Sequence, residues 1–423
     1  MRLAAILSAL LWASPATAQE PAPEANVNER YTVESVAITG VPETQLRKEL
    51  HEDLQKLVGQ KFSQKALDDL TKRLRDELPG RTVVQTVTRG DKPEHVKVVL
   101  DVAERKDERF DVSISRFLYH SKQGWSGKVV ADWGLDYAAS VILGLVSDAD
   151  DLLERYAGLV GGFQSKKVVS DRVRLRFLFE TYHQQWNGAT LEALEERPDV
   201  PGIYRTRKSF APTLTVAPLR PLELSFGTSF QFVQTQFPAA RTEAAHAAVA
   251  EVRYQQQFRD AALHRHYVAA NYSLRAANRT LQSDFVYTRH RAEFGYKLSN
   301  RRQSLLVVAT AGRLTGRAPL FERFTLGNSA TLRGWHKFDV APLGGTRLAH
   351  NTLEYRYRLF QAFYDAGAVW DRGQRAVTKH AVGFGFRQDK GPARVMMPGF
   401  FGSVAFPVKS GRMEPIFMIG LNF

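Results

Sequence analysis

The sequence predicts an all-β transmembrane barrel of about sixteen antiparallel strands, preceded by one small α+β domain. Three observations predict it. From about Phe110 onward, successive segments alternate polar and apolar side chains with period two. After the amino terminus, no segment approaches the ~20 uninterrupted apolar residues that a spanning helix needs. Before residue 105 the hydrophobic period changes from two to that of a helix and back, giving the order β-α-α-β-β.

The amino terminus reads as a secretory signal. Arg2 precedes an apolar run from Leu3 to Trp12, and Ala16, Thr17 and Ala18 supply an A-x-A cleavage site before Gln19. Residues 1–18 are thus expected to be removed, leaving residues 19–30 as a linker containing Pro and Ala. Tyr31 to Gly40 (YTVESVAITG) is a β-branched strand ended by Gly. Leu46, Leu50, Leu54 and Leu57 then recur at helical spacing up to Gly59. Ser63 is placed to cap a second helix, in which Leu67, Leu70, Leu74 and Leu78 form one stripe before Pro79–Gly80. Thr82 to Thr88 and Glu94 to Ala103 complete the unit as two strands joined through Gly90 and Pro93.

The remaining residues, 108–423, carry the barrel pattern. Val173, Leu175, Phe177 and Phe179 oppose Arg172, Arg174, Arg176 and Glu180. Leu224, Phe226, Phe230 and Phe232 oppose Glu223, Ser225, Ser229 and Gln231. Val252 and Tyr254 oppose Glu251, Arg253 and Gln255, and Val286, Phe294 and Tyr296 oppose Arg289, Arg291 and Glu293. A register slip of one residue would turn those arginines toward lipid, at ~2–4 kcal/mol each near the midplane. Asp148 to Gly158 (DADDLLERYAG) reads as a loop or a helical turn. Short turns near residues 218–222, 300–303 and 360–362 alternate with long connections at 183–207, 315–348 and 370–379, as outer-membrane barrels arrange them.

Composition narrows the function. A hydrophobic content of 44% and a mean hydropathy of −0.30 look soluble, because alternation hides a barrel's membrane signal. The net charge of +14 could suggest nucleic acid, but export of the chain excludes that partner, and much of the charge falls on polar strand faces. There is no cysteine, hence neither a disulfide nor a thiolate nucleophile. His264 and His266 share a strand face without a third ligand, and Gly158 to Phe163 (GLVGGF) lacks the helix and Lys-Ser/Thr of a phosphate loop. Neither GxSxG nor HExxH occurs. No enzyme activity, cofactor or metal is expected.

The informative stretch is Phe321 to Trp370. A loop rich in Gly carries Leu332, Arg333, Gly334 and Trp335, and two alternating segments follow. Their polar faces hold His350, Thr352, Glu354 and Arg356 on the first and Asp365 on the second. LRGW resembles the [V/L]RG[F/Y] signature in the sixth extracellular loop of the BamA/TpsB superfamily of outer-membrane barrels, with Trp335 where Phe or Tyr is usual and Asn328 where a second Gly often follows Gly327. NTLEYR and FYDAGAVW resemble that family's next two strands. The resemblance implies that residues 315–348 fold into the barrel as a plug, with Arg333 pairing with Glu354 and Asp365. The small domain, with V-x-I-x-G closing its first strand, resembles a polypeptide-transport-associated (POTRA) domain spanning 31–105 and facing the periplasm. Phe423 resembles the terminal aromatic targeting residue of such barrels.

The resemblance implies a factor that inserts or exports polypeptide clients at the bacterial outer membrane, in contact with outer-membrane lipid. A passive channel and a structural surface antigen are the alternatives. The barrel seam is expected between a first strand at Phe110–Tyr119, interrupted by Ser113 and Ser115, and a last strand at Pro415–Phe423, weakened by Pro415 and Gly420.

Overall fold

The computed structural model describes residues 30–41, 48–78, 81–104, 110–135, 139–147, 150–165, 168, 170, 172–197, 199–260, 264–300, 302–388 and 399–422. The signal residues 1–18 and the terminal Phe423 lie outside this set. The chain divides into two compact units, residues 1–107 and 108–423.

In the first unit, β1 (Thr32–Thr39), α1 (Lys48–Lys56), α2 (Gln64–Glu77), β2 (Arg81–Arg89) and β3 (His95–Glu104) form a three-stranded sheet with two helices. The sheet order is β1-β3-β2, with β1 parallel and β2 antiparallel to the central strand. The leucine stripes fill its core: Leu50, Leu54, Leu67, Leu70 and Leu74 pack with Val33, Val83, Val98 and Leu100. The Ser63 hydroxyl accepts the Ala66 N–H and starts α2. Gly40 has φ +84°, and a Cβ there would stand 1.9 Å from the Val102 carbonyl oxygen, so only glycine lets the chain leave β1 so close to β3.

The second unit is a closed antiparallel barrel. Its strands begin with β4 (Phe110–His120), β5 (Gly124–Gly134), β6 (Ala139–Ser147), β7 (Arg155–Ser165), β8 (Val173–Gln185), β9 (Tyr204–Leu219) and β10 (Leu222–Thr235). They continue as β11 (Arg241–Ala244), β12 (Ala247–Arg259), β13 (Arg265–Ala277), β14 (Val286–Ser299), β15 (Gln303–Arg317) and β16 (Arg347–Tyr357). The wall closes with β17 (Phe360–Trp370), β18 (Lys379–Gln388), β19 (Gly399–Val408) and β20 (Ile416–Asn422). β11 and β12 both pair with β10 and make one strand interrupted at Ala245–His246, so the wall has sixteen strands, the number anticipated from the alternation.

The alternation translates directly into faces. Leu353, Tyr355, Phe226, Phe294 and Phe179 are exposed on the outer face, while Thr352, Glu354, Gln231 and Asp365 are buried inside. Three local expectations change. The turn placed at residues 360–362 is the two-residue Arg358–Leu359, made tight by Arg358 at φ +53°, so Phe360 already belongs to β17. Arg155 to Gly158 lie in β7, preceded by bends at residues 150–154, so the ambiguous acidic segment is part loop and part strand. Pro415 precedes β20 and takes no place in its ladder, so it does not weaken the closure.

A Gly40→Val substitution should destabilise the first unit by about 1–3 kcal/mol, because it adds both backbone strain and a clash at Val102. Urea-dependent proteolysis of residues 30–104 in the intact chain measures it; protection equal to wild type would contradict this packing.

Candidate functional site

Residues 318–346, between β15 and β16, run into the barrel interior and carry its largest apolar cluster. Leu320, Phe321, Phe324, Leu326, Leu332 and Leu343 from this loop pack with wall residues including Leu314, Leu348 and Ala381. A loop this apolar is stable only where walls cover it.

The LRGW motif turns at Leu332, whose φ is +48°, and this points the next side chain at β16 and β17. The Arg333 guanidinium donates through Nε to Asp365 Oδ2 at 2.9 Å, through Nη2 to Asp365 Oδ1 at 3.0 Å and through Nη1 to Glu354 Oε2 at 2.9 Å. Its backbone N–H also donates to Asp365 Oδ2 at 3.0 Å. Thr352 also donates to Asp365 Oδ1, and Arg356 to Glu354 Oε1, at 2.8 and 3.0 Å. The guanidinium lies over the Phe363 ring, 3.4 Å from its centroid. Burial acts to lower the Arg333 pKa, but hydrogen bonds to Asp365 and the charges of Asp365 and Glu354 more than offset it and hold it above the ordinary value.

The neighbouring motif residues fix the loop to the next two strands of the wall, β18 and β19. Gly334 sits so close to β18 and β19 that a Cβ would be 2.7 Å from the Phe406 backbone and 2.8 Å from Ala381 Cβ. Trp335 Nε1 donates to the His380 carbonyl at 2.8 Å, and the Lys379 ammonium stands 4.1 Å from the Trp335 ring centroid.

Further anchors escaped the sequence reading. Glu322, buried, pairs with Arg275 on β13 at 2.9 Å and with Arg289 on β14 at 3.7 Å, and accepts the Tyr287 hydroxyl at 3.1 Å. Arg323 Nη2 donates to both Asp371 oxygens, at 2.7 and 2.8 Å. Lys337 donates to the Leu152 carbonyl at 2.6 Å, 3.9 Å from Asp150, whose other oxygen accepts the Ser329 N–H. Glu154, fully buried, accepts the Tyr204 hydroxyl; burial first of all pushes its pKa up, against the pull of the Arg207 charge. One signal was available for the first two: Glu322 and Arg323 sit amid Leu320, Phe321 and Phe324, and a charged pair inside an apolar loop needs wall partners. Asp150 and Glu154 carried no comparable signal.

At the seam, β4 and β20 are neighbours, but in a different register from the one considered in the sequence. Phe117, Leu118, Tyr119 and His120 oppose Leu421, Gly420, Ile419 and Met418. Ser113 instead opposes Val130 of β5, beyond an irregularity between Ile114 and Phe117, and no described pairing joins Ser113 or Ser115 to β20. Nor does Gly420 pack loosely: a Cβ there would be 2.4 Å from the Phe401 ring, so the glycine admits that ring. His264 and His266 both bond Asp260, and among the described residues no group of three or more His, Cys, Asp or Glu is arranged to hold a metal.

Arg333→Ala leaves two buried carboxylates without their shared cation and should cost ~3–5 kcal/mol of barrel stability. Arg333→Lys should recover little, since one ammonium cannot reproduce the fork on Asp365 and the bond to Glu354 together. Because Glu322 anchors the loop independently, conductance in planar bilayers should rise modestly in Arg333→Ala or Glu322→Gln and much further in the double variant. A double variant as closed as wild type would refute the anchoring role.

Residues 253–391, from β12 through β18, match the model of the Omp85 superfamily domain. Among solved structures, the chain resembles BamA from Haemophilus ducreyi lacking POTRA domains 1–3, with TM-score 0.60 and 14% identity over 93% of this chain and 85% of that one. It resembles CdiB from Escherichia coli with TM-score 0.52 and 11% identity, covering 98% and 95% of the two chains. For CdiB from Acinetobacter baumannii the TM-score is 0.52 and the identity 11%, covering 93% and 74%. No curated protein matches the sequence. The sixteen-stranded wall, the loop folded inside it and the matched segment lead to one conclusion: the chain is a closed sixteen-stranded β-barrel protein whose residues 253–391 match the Omp85 superfamily domain.

Proposed function

We propose that this protein inserts or exports polypeptide clients at the outer membrane, and that the seam between β4 and β20 is the working opening. The observation that carries this is the shortness of that seam. Among the described residues it has four opposed positions, whereas β19–β20 has seven and β14–β15 fourteen. A short ladder leaves unpaired strand edges beside it, able to template an incoming strand. The interior route is the less favoured reading, because the loop crosses it and is tied to several parts of the wall.

In this reading the first unit is a POTRA domain on the periplasmic side, delivered after signal cleavage near Ala18. Its sheet order leaves the outer edge of β2 unpaired among the described strands, where an extended client could add a strand. The loop held by Arg333, Glu354 and Asp365 acts as a brace that keeps the wall in register while the seam works. No reaction and no cofactor enter this proposal.

The test locks the seam. The chain has no cysteine, so Tyr119→Cys with Ile419→Cys, which are opposed in register, introduces a single disulfide pair. The outer-membrane and secreted proteins that disappear from cells lacking this chain should disappear again when the pair is oxidised, and return on reduction. If oxidation leaves them in place, passage runs through the interior and the seam reading fails.

A further inference from the structure

The outer face of the wall carries a cluster of arginines that no carboxylate answers. Strand pairing puts Arg313 of β15 directly opposite Arg347 of β16, and Arg347 opposite Trp370 of β17. Their sequence neighbours Leu314 and Leu348 pack inside the barrel, so the two arginines face outward. Arg372, just past β17, stands near enough for its charge, like that of Arg313, to act on Arg347. Like charges opposed on neighbouring strands repel, with their side-chain bases about 5 Å apart. Among the described residues no ion pair reaches Arg313, Arg347 or Arg372. Arg347 Nη1 donates to the carbonyls of Leu314 and Thr346 at 2.8 and 3.0 Å, which holds the side chain without neutralising it. The adjacent acid, Asp371, is taken by Arg323 and Arg197.

The register also fixes what lies beside these cations on the same face. Arg313 and Arg347 sit at the end of the barrel that carries the long connections. The next outward positions toward the middle of the wall are Ala311 and Ala349, opposed to each other, with Ala292 of β14 opposite Ala311. All three alanines are exposed. Two residues of strand separate each arginine from this row by about 7 Å. Farther along the same face, Phe294, Leu353 and Tyr364 are exposed as well. The apolar surface therefore begins immediately below the arginines. An arginine at such a boundary lays its stem along the apolar face and lifts its guanidinium to the polar layer.

We propose that Arg313, Arg347 and Arg372 bind the phosphate group of one membrane lipid, whose acyl chains lie on the apolar outer face of β14 to β17. Charge selects the ligand. Three guanidiniums without a carboxylate call for an anion, and the guanidinium fork matches two phosphate oxygens at once. The bound phosphate relieves a repulsion that the wall leaves unanswered. The face selects a lipid over free phosphate, because only a chain-bearing ligand also covers the surface that starts at Ala311 and Ala349. This assignment rests on the reading of the wall as membrane-spanning and does not involve the seam between β4 and β20.

The test uses the full-length protein in a non-ionic detergent and native mass spectrometry. The probes are phosphatidic acid, diacylglycerol with the same acyl chains, and inorganic phosphate. One phosphatidic acid should be retained per chain and diacylglycerol should not. Arg313→Gln with Arg372→Gln should weaken retention at least about tenfold. Ala311→Trp, which crowds the surface below and leaves every cation in place, should weaken it comparably. Lys208→Gln removes an outward cation of β9, opposite exposed Phe232, and should leave retention unchanged. Each variant is checked for the heat-dependent gel mobility of a folded barrel, and either losing variant suffices if the other misfolds. Partition of the wild-type chain into a detergent-rich phase checks the membrane reading separately, so its failure and that of the lipid site are distinguishable. Equal retention of diacylglycerol, displacement by equimolar inorganic phosphate, undiminished retention in a folded losing variant, or an equal loss in Lys208→Gln would each overturn the assignment.

Discussion

The structure depends on one buried cation. Arg333 cannot shed its proton, so the loop carries a full charge into the barrel and the wall must answer it. It does so through register. Thr352 opposes Asp365 and Glu354 opposes Phe363, which makes the two carboxylates diagonal neighbours on the inner face, spaced to take different edges of one guanidinium. Phe363, between them, supplies the ring under the cation. A slip of one residue in either strand would turn a carboxylate toward lipid and strand the arginine, so the ion pair and the β16–β17 register enforce each other.

The other anchors extend that constraint around the wall. Glu322 reaches β13 and β14, Arg323 reaches Asp371 after β17, Trp335 reaches β18, and Lys337 reaches the segment before β7. Both signs are represented, so the loop brings a carboxylate for wall arginines and a cation for a wall carboxylate. This is how a chain with net charge +14 holds charged groups inside a barrel: the inner face is a set of local pairings rather than one uniform field.

The seam is built differently from the rest of the wall. Its ladder is short, and on the inside Leu118, Ala405, Ile416 and Met418 pack as an apolar cluster with Phe401 beside them. Closure there leans on non-directional packing more than on main-chain hydrogen bonds, and such contacts re-form at many separations where a ladder does not. Phe363 belongs to this same cluster while lying under Arg333, so the ring physically connects the loop anchor to the closing strands.

The sequence by itself determined the strand faces. Alternation between residues such as Leu353 and Glu354, or Phe226 and Ser225, is a local property of a pleated chain, and water and lipid on the two sides leave one arrangement. It likewise marked the leucine stripes of α1 and α2, the Ser63 cap, and Glu354 and Asp365 as inward carboxylates, while the resemblance of LRGW, NTLEYR and FYDAGAVW to known barrels supplied their pairing with Arg333. Only the tertiary structure decided which distant residues meet. Glu322 finds Arg275 and Arg289, and Lys337 finds Leu152, because closure brings strands far apart in sequence around one loop; no periodicity encodes that. The seam shows the same limit. The sequence named its two strands, but the placing of Gly420 opposite Leu118 and under Phe401, rather than near Ser113 or Ser115, follows from the stagger needed to close the wall, a global quantity that no single strand contains.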